Sequence, residues 1–131
     1  MSDSDPIATF SYLAKQLDLL GLGYLHVPEP IAGPGAVPSC VPTALSVMRG
    51  IFGGTFVANG GYNEASGRAA VAEGKADPVA FGAPFIANPD LPMRYLKRAP
   101  LNSPDPSGFY SGEEKGYIDY PTLKPGSLAS Q

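Results

Sequence analysis

The stretch that decides the fold is Ala76–Pro92, "ADPVAFGAPFIANPDLP". An apolar run, Val79 to Phe81, stops at Gly82, and the chain turns through Pro84 into "ANPDLP". There Asn88 and Pro89 read as the cap and first residue of a helix running to about Arg98. A short apolar strand ending on glycine and followed by a helix is the βα half of a parallel α/β unit.

Working outward, the same unit recurs twice. "TFVAN" (Thr55–Asn59) is an apolar strand closed by Gly60 and Gly61, and Asn63 is placed to cap a helix from Glu64 to Glu73 that stops at Gly74. Before it, "GYLHV" (Gly23–Val27) closes at Pro28 and reads as a strand buried on both faces. A proline-dense loop, Pro28 to Pro42, then leads to a short helix over Thr43–Phe52. At the front, Ile7, Phe10, Leu13, Leu17 and Leu20 recur at helical spacing, with Asp5 as cap, Pro6 as first residue and Gly21 as stop. The order is one leading helix and three βα units. It demands a parallel sheet with helical cover, either open and doubly wound or part of a (β/α)₈ barrel.

Composition narrows the function classes. The chain has 131 residues, enough for one modest core, and its 16 Gly and 15 Pro fall between apolar runs as turns. A net charge of −3 gives no footprint for nucleic acid or an anionic membrane, and no apolar run approaches the ~18 residues of a membrane span. One cysteine, Cys40, and one histidine, His26, make neither an internal disulfide nor a metal cluster, and a reduced, cytoplasmic setting is expected.

In parallel α/β folds ligands sit beyond the C-terminal ends of the strands. Glycines there let a phosphate or ring approach the main chain, and a following helix adds N–H groups and a positive dipole end. Gly60–Gly61 and Gly82–Ala83 are therefore candidates for a shared anion cradle, against the plainer reading that they are tight βα turns. His26 is read as a packed core residue, and Cys40, in its proline loop with no second histidine, as incidental. Asp77, Asp90, Glu113, Glu114 and Asp119 have no paired spacing for acid/base work and read as solvated or capping groups. Phe109, Tyr110, Tyr117 and Tyr120 in the polar tail are expected to pack on the domain, with 1–98 as the α/β body and 99–131 as a tail over the strand ends.

"GLGYLHV" (Gly21–Val27), "GGTFVANGGYN" (Gly53–Asn63), "GKADPVAFGAPFIANPDLP" (Gly74–Pro92) and "FYSGEEKGYIDYPTL" (Phe109–Leu123) together resemble the Old Yellow Enzyme family, of the N-ethylmaleimide and xenobiotic reductase type. The resemblance covers almost the whole chain. It implies the C-terminal part of a (β/α)₈ barrel: the fifth helix, strands six to eight with their helices, and the tail. It further implies FMN at the strand ends, NAD(P)H as hydride donor, and an activated alkene, nitro compound or nitrate ester as acceptor. Gly60 and Gly61 match the turn after strand seven, and Gly82 with Ala83 the turn after strand eight, where the family binds the FMN phosphate. Tyr110 matches the tail tyrosine near flavin and substrate. Ala83 stands where many members carry arginine. The family's catalytic residues belong to strands one to five, so no catalytic residue is assigned here. The partner expected from the resemblance is the N-terminal remainder of the barrel or a second copy; the alternative is a catalytically inactive fragment or interaction subunit with the same half-barrel fold.

Overall fold

The computed structural model describes residues 4–29, 40–110 and 113–124, which group into two compact units, 1–80 and 81–131. In the first unit, α1 (Pro6–Leu19) begins where expected: the Asp5 carboxylate accepts the Ala8 N–H at 3.0 Å, and Pro6 takes a position where its missing N–H costs nothing. Three parallel strands follow in the spatial order β1 (Tyr24–Pro28), β2 (Thr55–Asn59), β3 (Val79–Ala80), interleaved with α2 (Cys40–Ile51) and α3 (Glu64–Ala72). Asn63 caps α3 through a reciprocal box with Ser66, both bonds at 3.0 Å.

Register settles which parallel architecture this is. Leu25 pairs with Phe56, and Val27 with Ala58 and in turn Val79, so these residues share one face of the sheet. On that face Phe56 packs with Ala14 of α1 and Met48 of α2, surrounded by Phe10, Leu25, Val27, Leu45 and Ile51. Residues of α2 and α3 also flank Phe56 along a common cleft. All three helices of this unit thus cover one face. One-sided cover of strands that lie side by side in chain order is the arrangement of a (β/α)₈ barrel, since a doubly wound sheet places helices on both faces.

The opposite face carries Tyr24, His26, Thr55, Val57 and Asn59. β1 was expected to be buried on both faces; instead Tyr24 is 64% exposed, and His26 and Pro28 are exposed as well. The helices of this unit lie on the other face, and β1 is at the sheet edge. His26 is accordingly a solvent-facing residue of the uncovered face and not a core histidine. Cys40 and Pro42 belong to the first turn of α2 and not to a loop, a position where proline is tolerated because first-turn N–H groups have no helical acceptor. Residues 30–39 of the expected loop lie outside the described residues.

In the second unit the chain differs from the expected single helix. A five-residue helix, α4 (Ala83–Ala87), follows Gly82, and α5 (Leu91–Lys97) follows Asp90. Asn88 is the C-cap of α4 and caps nothing downstream. Its amide is fully buried and used over a longer range: Nδ2 donates to Pro84 O at 2.9 Å, and Oδ1 accepts the Asn102 N–H at 2.7 Å. Phe81 meets Tyr95 edge to face at 5.5 Å, so the third apolar run ends its ladder at Ala80.

The tail joins this unit through α5. Arg94 donates to Asp90 Oδ1 (2.7 Å), Pro100 O (2.6 Å) and Pro121 O (2.7 Å), while Asp90 Oδ2 accepts the Leu123 N–H at 2.7 Å. Asn102 adds bonds to Ala87 O and Pro121 O. Asp90, expected to be a solvated or capping carboxylate, makes no cap bond and is the hub that ties tail to helix.

Candidate functional site

The turn after β2 is shaped by the end of β1. Glu29 N–H donates to Asn59 O, extending the parallel ladder by one residue. Gly60 then takes φ +141°, and a Cβ placed on it would stand 2.7 Å from Glu29 O and 3.0 Å from Glu29 Cβ. Glycine is obligatory here for conformation and for space. Gly61 follows at φ +64°, and Tyr62 Oη donates to Glu29 Oε1 at 2.5 Å. Burial, together with this bond to a carboxylate, pushes the Tyr62 phenol up to about 12, so it remains a donor at any physiological pH.

The turn after β3 is built differently. Gly82 has φ −86°, and a Cβ there would meet nothing within 4 Å. The chain's own packing gives no reason for glycine at this position. Downstream, the N–H of Phe85 bonds to Gly82 O at 2.8 Å and Pro84 has no N–H, which leaves Gly82 and Ala83 as the donors this turn can turn toward an anion. Five residues of α4 add little dipole, so the helical contribution expected from sequence is small. As a test of fit, the turn offers open space and main-chain donors to a phosphate, without a side-chain cation at residue 83.

Tyr110 is 99% exposed, its ring meeting Phe109 edge to face at 6.4 Å. An apolar cleft of about 480 Å³ within the second unit is lined by Phe81, Gly82, Phe85, Ile86, Tyr117 and Ile118. Among the described residues no group of three or more His, Cys, Asp or Glu could hold a metal, and no helix is long and apolar enough to cross a membrane.

Two features escaped the sequence reading. Glu29 and Tyr62 meet although 33 residues apart, and nothing local signals it. Asp77 bridges Arg49 of α2 (2.8 Å) and the Phe56 N–H (2.7 Å), fixing the loop before β3 against β2.

No protein-family profile matches the chain. Curated relatives do: 12-oxophytodienoate reductase 2 of Arabidopsis thaliana is 42% identical over 124 residues, 93% of this chain and 33% of that protein. Among solved structures, morphinone reductase superposes at TM-score 0.83 with 46% identity, covering 96% of this chain and 33% of its own. The old yellow enzyme from Trypanosoma cruzi does so at 0.79 with 38% identity, over 95% and 32%. The chain therefore spans about a third of the length of the relatives it matches. It resembles the C-terminal part of the Old Yellow Enzyme family along nearly its whole length, and its fold is the corresponding portion of a (β/α)₈ barrel.

Proposed function

We propose that these residues form the C-terminal section of an FMN-dependent NAD(P)H ene reductase, acting on a small activated alkene, and that its two glycine turns serve the FMN phosphate. The observation that carries this reading is the superposition on morphinone reductase at 46% identity, a protein also solved in complex with tetrahydroNAD.

FMN, when bound, supplies the hydride chemistry; the protein binds and orients it and excludes water. In this chain, Gly82 and Ala83 offer main-chain N–H groups in a turn that a Cβ would not crowd, and Gly60 sits where only glycine fits, followed by Gly61 at positive φ. Tyr110 is the candidate neighbour of flavin and substrate, and its full exposure leaves it available to them. The remaining part of a barrel, from the same polypeptide or from another copy, is the partner that fits the uncovered face bearing Tyr24, His26 and Val57 and the free edge of β1.

Flavin titration tests the proposal. The purified chain should show a visible flavin band, or take up added FMN with quenching of its fluorescence, and should bind riboflavin, which has no phosphate, at least about tenfold more weakly. A colourless protein that takes up no FMN would refute FMN binding by this section, and equal binding of riboflavin would refute the phosphate role of the turns.

A further inference from the structure

We propose that Glu29 is a positioning residue for the Gly60–Gly61 turn, latched to it through the Tyr62 hydroxyl, and that this latch presents the main-chain N–H groups of the turn to an anion. The anion's identity as the FMN phosphate rests on the reading above; the latch itself does not.

Three contacts converge on Glu29, from Asn59, Gly60 and Tyr62. Its N–H donates to Asn59 O, its carbonyl oxygen would stand 2.7 Å from a Cβ on residue 60, and its carboxylate accepts from Tyr62 Oη at 2.5 Å. The chain thus leaves β2 at Asn59, reverses through two glycines with positive φ, and is returned to the same residue at Tyr62. A hydroxyl-to-carboxylate bond of this length belongs to the stronger charge-assisted class. The next residue is fixed as well, because Asn63 and Ser66 cap each other at the start of α3.

A glycine pair without such ties would sample many conformations and would lose that freedom on binding an anion. Held at both ends, the turn has already lost it. Donors spent on the fold are those of Asn63, Ser66 and Gly67, all beyond the turn, so the latch restrains Gly60 and Gly61 without consuming their N–H groups in the bonds that form it. The carboxylate accepts a hydrogen bond from the phenol, which holds one of its oxygens on Tyr62. The phenol stays protonated far above neutrality, which keeps the latch closed.

The test compares the chain with its Tyr62→Phe, Glu29→Ala and Glu29→Gln variants by backbone order parameters and residue-resolved hydrogen exchange without flavin, and by FMN and riboflavin affinity. Tyr62→Phe and Glu29→Ala should lower the backbone order parameters of Gly60 and Gly61 from about 0.85 to below about 0.6, and should accelerate exchange of the Glu29 amide, bonded to Asn59 O, at least about tenfold. Protection of the Phe56 amide should stay unchanged. Glu29→Gln keeps an acceptor oxygen and should restore most of the protection. FMN affinity should fall with the latch while riboflavin affinity does not. Unchanged order parameters at Gly60 and Gly61 in Tyr62→Phe, or a loss of protection spread evenly over β2 and α2, would overturn the proposal. Lower order parameters at the turn of these variants, in a chain that binds no FMN, would uphold the latch and refute the flavin reading.

Discussion

The tail of this chain should be released by one substitution, Arg94→Met. The Arg94 side chain is only 5% exposed, and its guanidinium reaches Pro100 O at 2.6 Å and Pro121 O at 2.7 Å in addition to Asp90. Hydrogen bonds from a charged donor contribute about 1.5–3 kcal/mol each, so losing the two carbonyl contacts sets the expected cost at about 3–6 kcal/mol. Pro121 O keeps a bond from Asn102 Nδ2 at 2.9 Å, which argues for the lower half of that range. Methionine retains the volume of the stem, so lost packing contributes little. Arg94→Lys keeps the charge, yet one ammonium cannot span three acceptors set around a planar fork, and it should recover less than half of the loss. Urea denaturation gives the stability change, and hydrogen exchange at the Leu123 and Asn102 amides shows whether the tail is what comes loose. A cost below about 1 kcal/mol for Arg94→Met, or unchanged protection at Leu123, would refute the claim that this side chain holds the tail.

Asp77→Ala should cost more than Arg49→Met in thermal or urea melts: the ion pair is half-exposed and contributes about 0–1 kcal/mol, whereas the buried-side Phe56 N–H loses its acceptor at about 1–3 kcal/mol. Equal costs would show that the ion pair, and not the amide contact, is what matters. Gly60→Ala should destabilise the first unit by at least about 2 kcal/mol, from its positive φ and the clash with Glu29, while Gly82→Ala should change stability by less than about 1 kcal/mol and be read only in FMN affinity. Asp90 is held below the usual carboxylate range by its bond from Arg94 and then by the Leu123 N–H. A depressed folded value means that its stabilisation is present above the unfolded carboxylate value of about 4 and is lost as pH falls below it. Acid titration of stability should therefore be shallower below pH ~4 in Arg94→Met than in the unaltered chain, and parallel acid limbs would contradict that assignment.

How much of this was legible in the sequence depends on the range of the deciding contact. Where it is local, the reading holds: Asp5 three residues before Ala8, Asn63 three before Ser66, and the apolar run Thr55–Asn59 between glycines each specify their element within one turn of chain. Asn88–Pro89 is a local helix-start signal too, and it misleads because the Asn88 amide is claimed by Asn102, 14 residues on, and by the preceding turn of α4. The run "GYLHV" reads as buried because most of its residues are apolar, yet Tyr24 and His26 are exposed, because burial of a strand face is set by what packs on it and not by the strand's own residues.

The two glycine turns show the same limit at the site. In sequence Gly60 and Gly82 look alike, each closing an apolar strand before a helix. Folded, Gly60 is required by Glu29, 31 positions earlier, so the fold alone explains it. Gly82 has a negative φ and open space around it, so no packing in this chain requires its glycine. That asymmetry makes Gly82→Ala the cleaner probe of the proposed cofactor: the fold tolerates the methyl group, and a phosphate drawn close to the main chain does not.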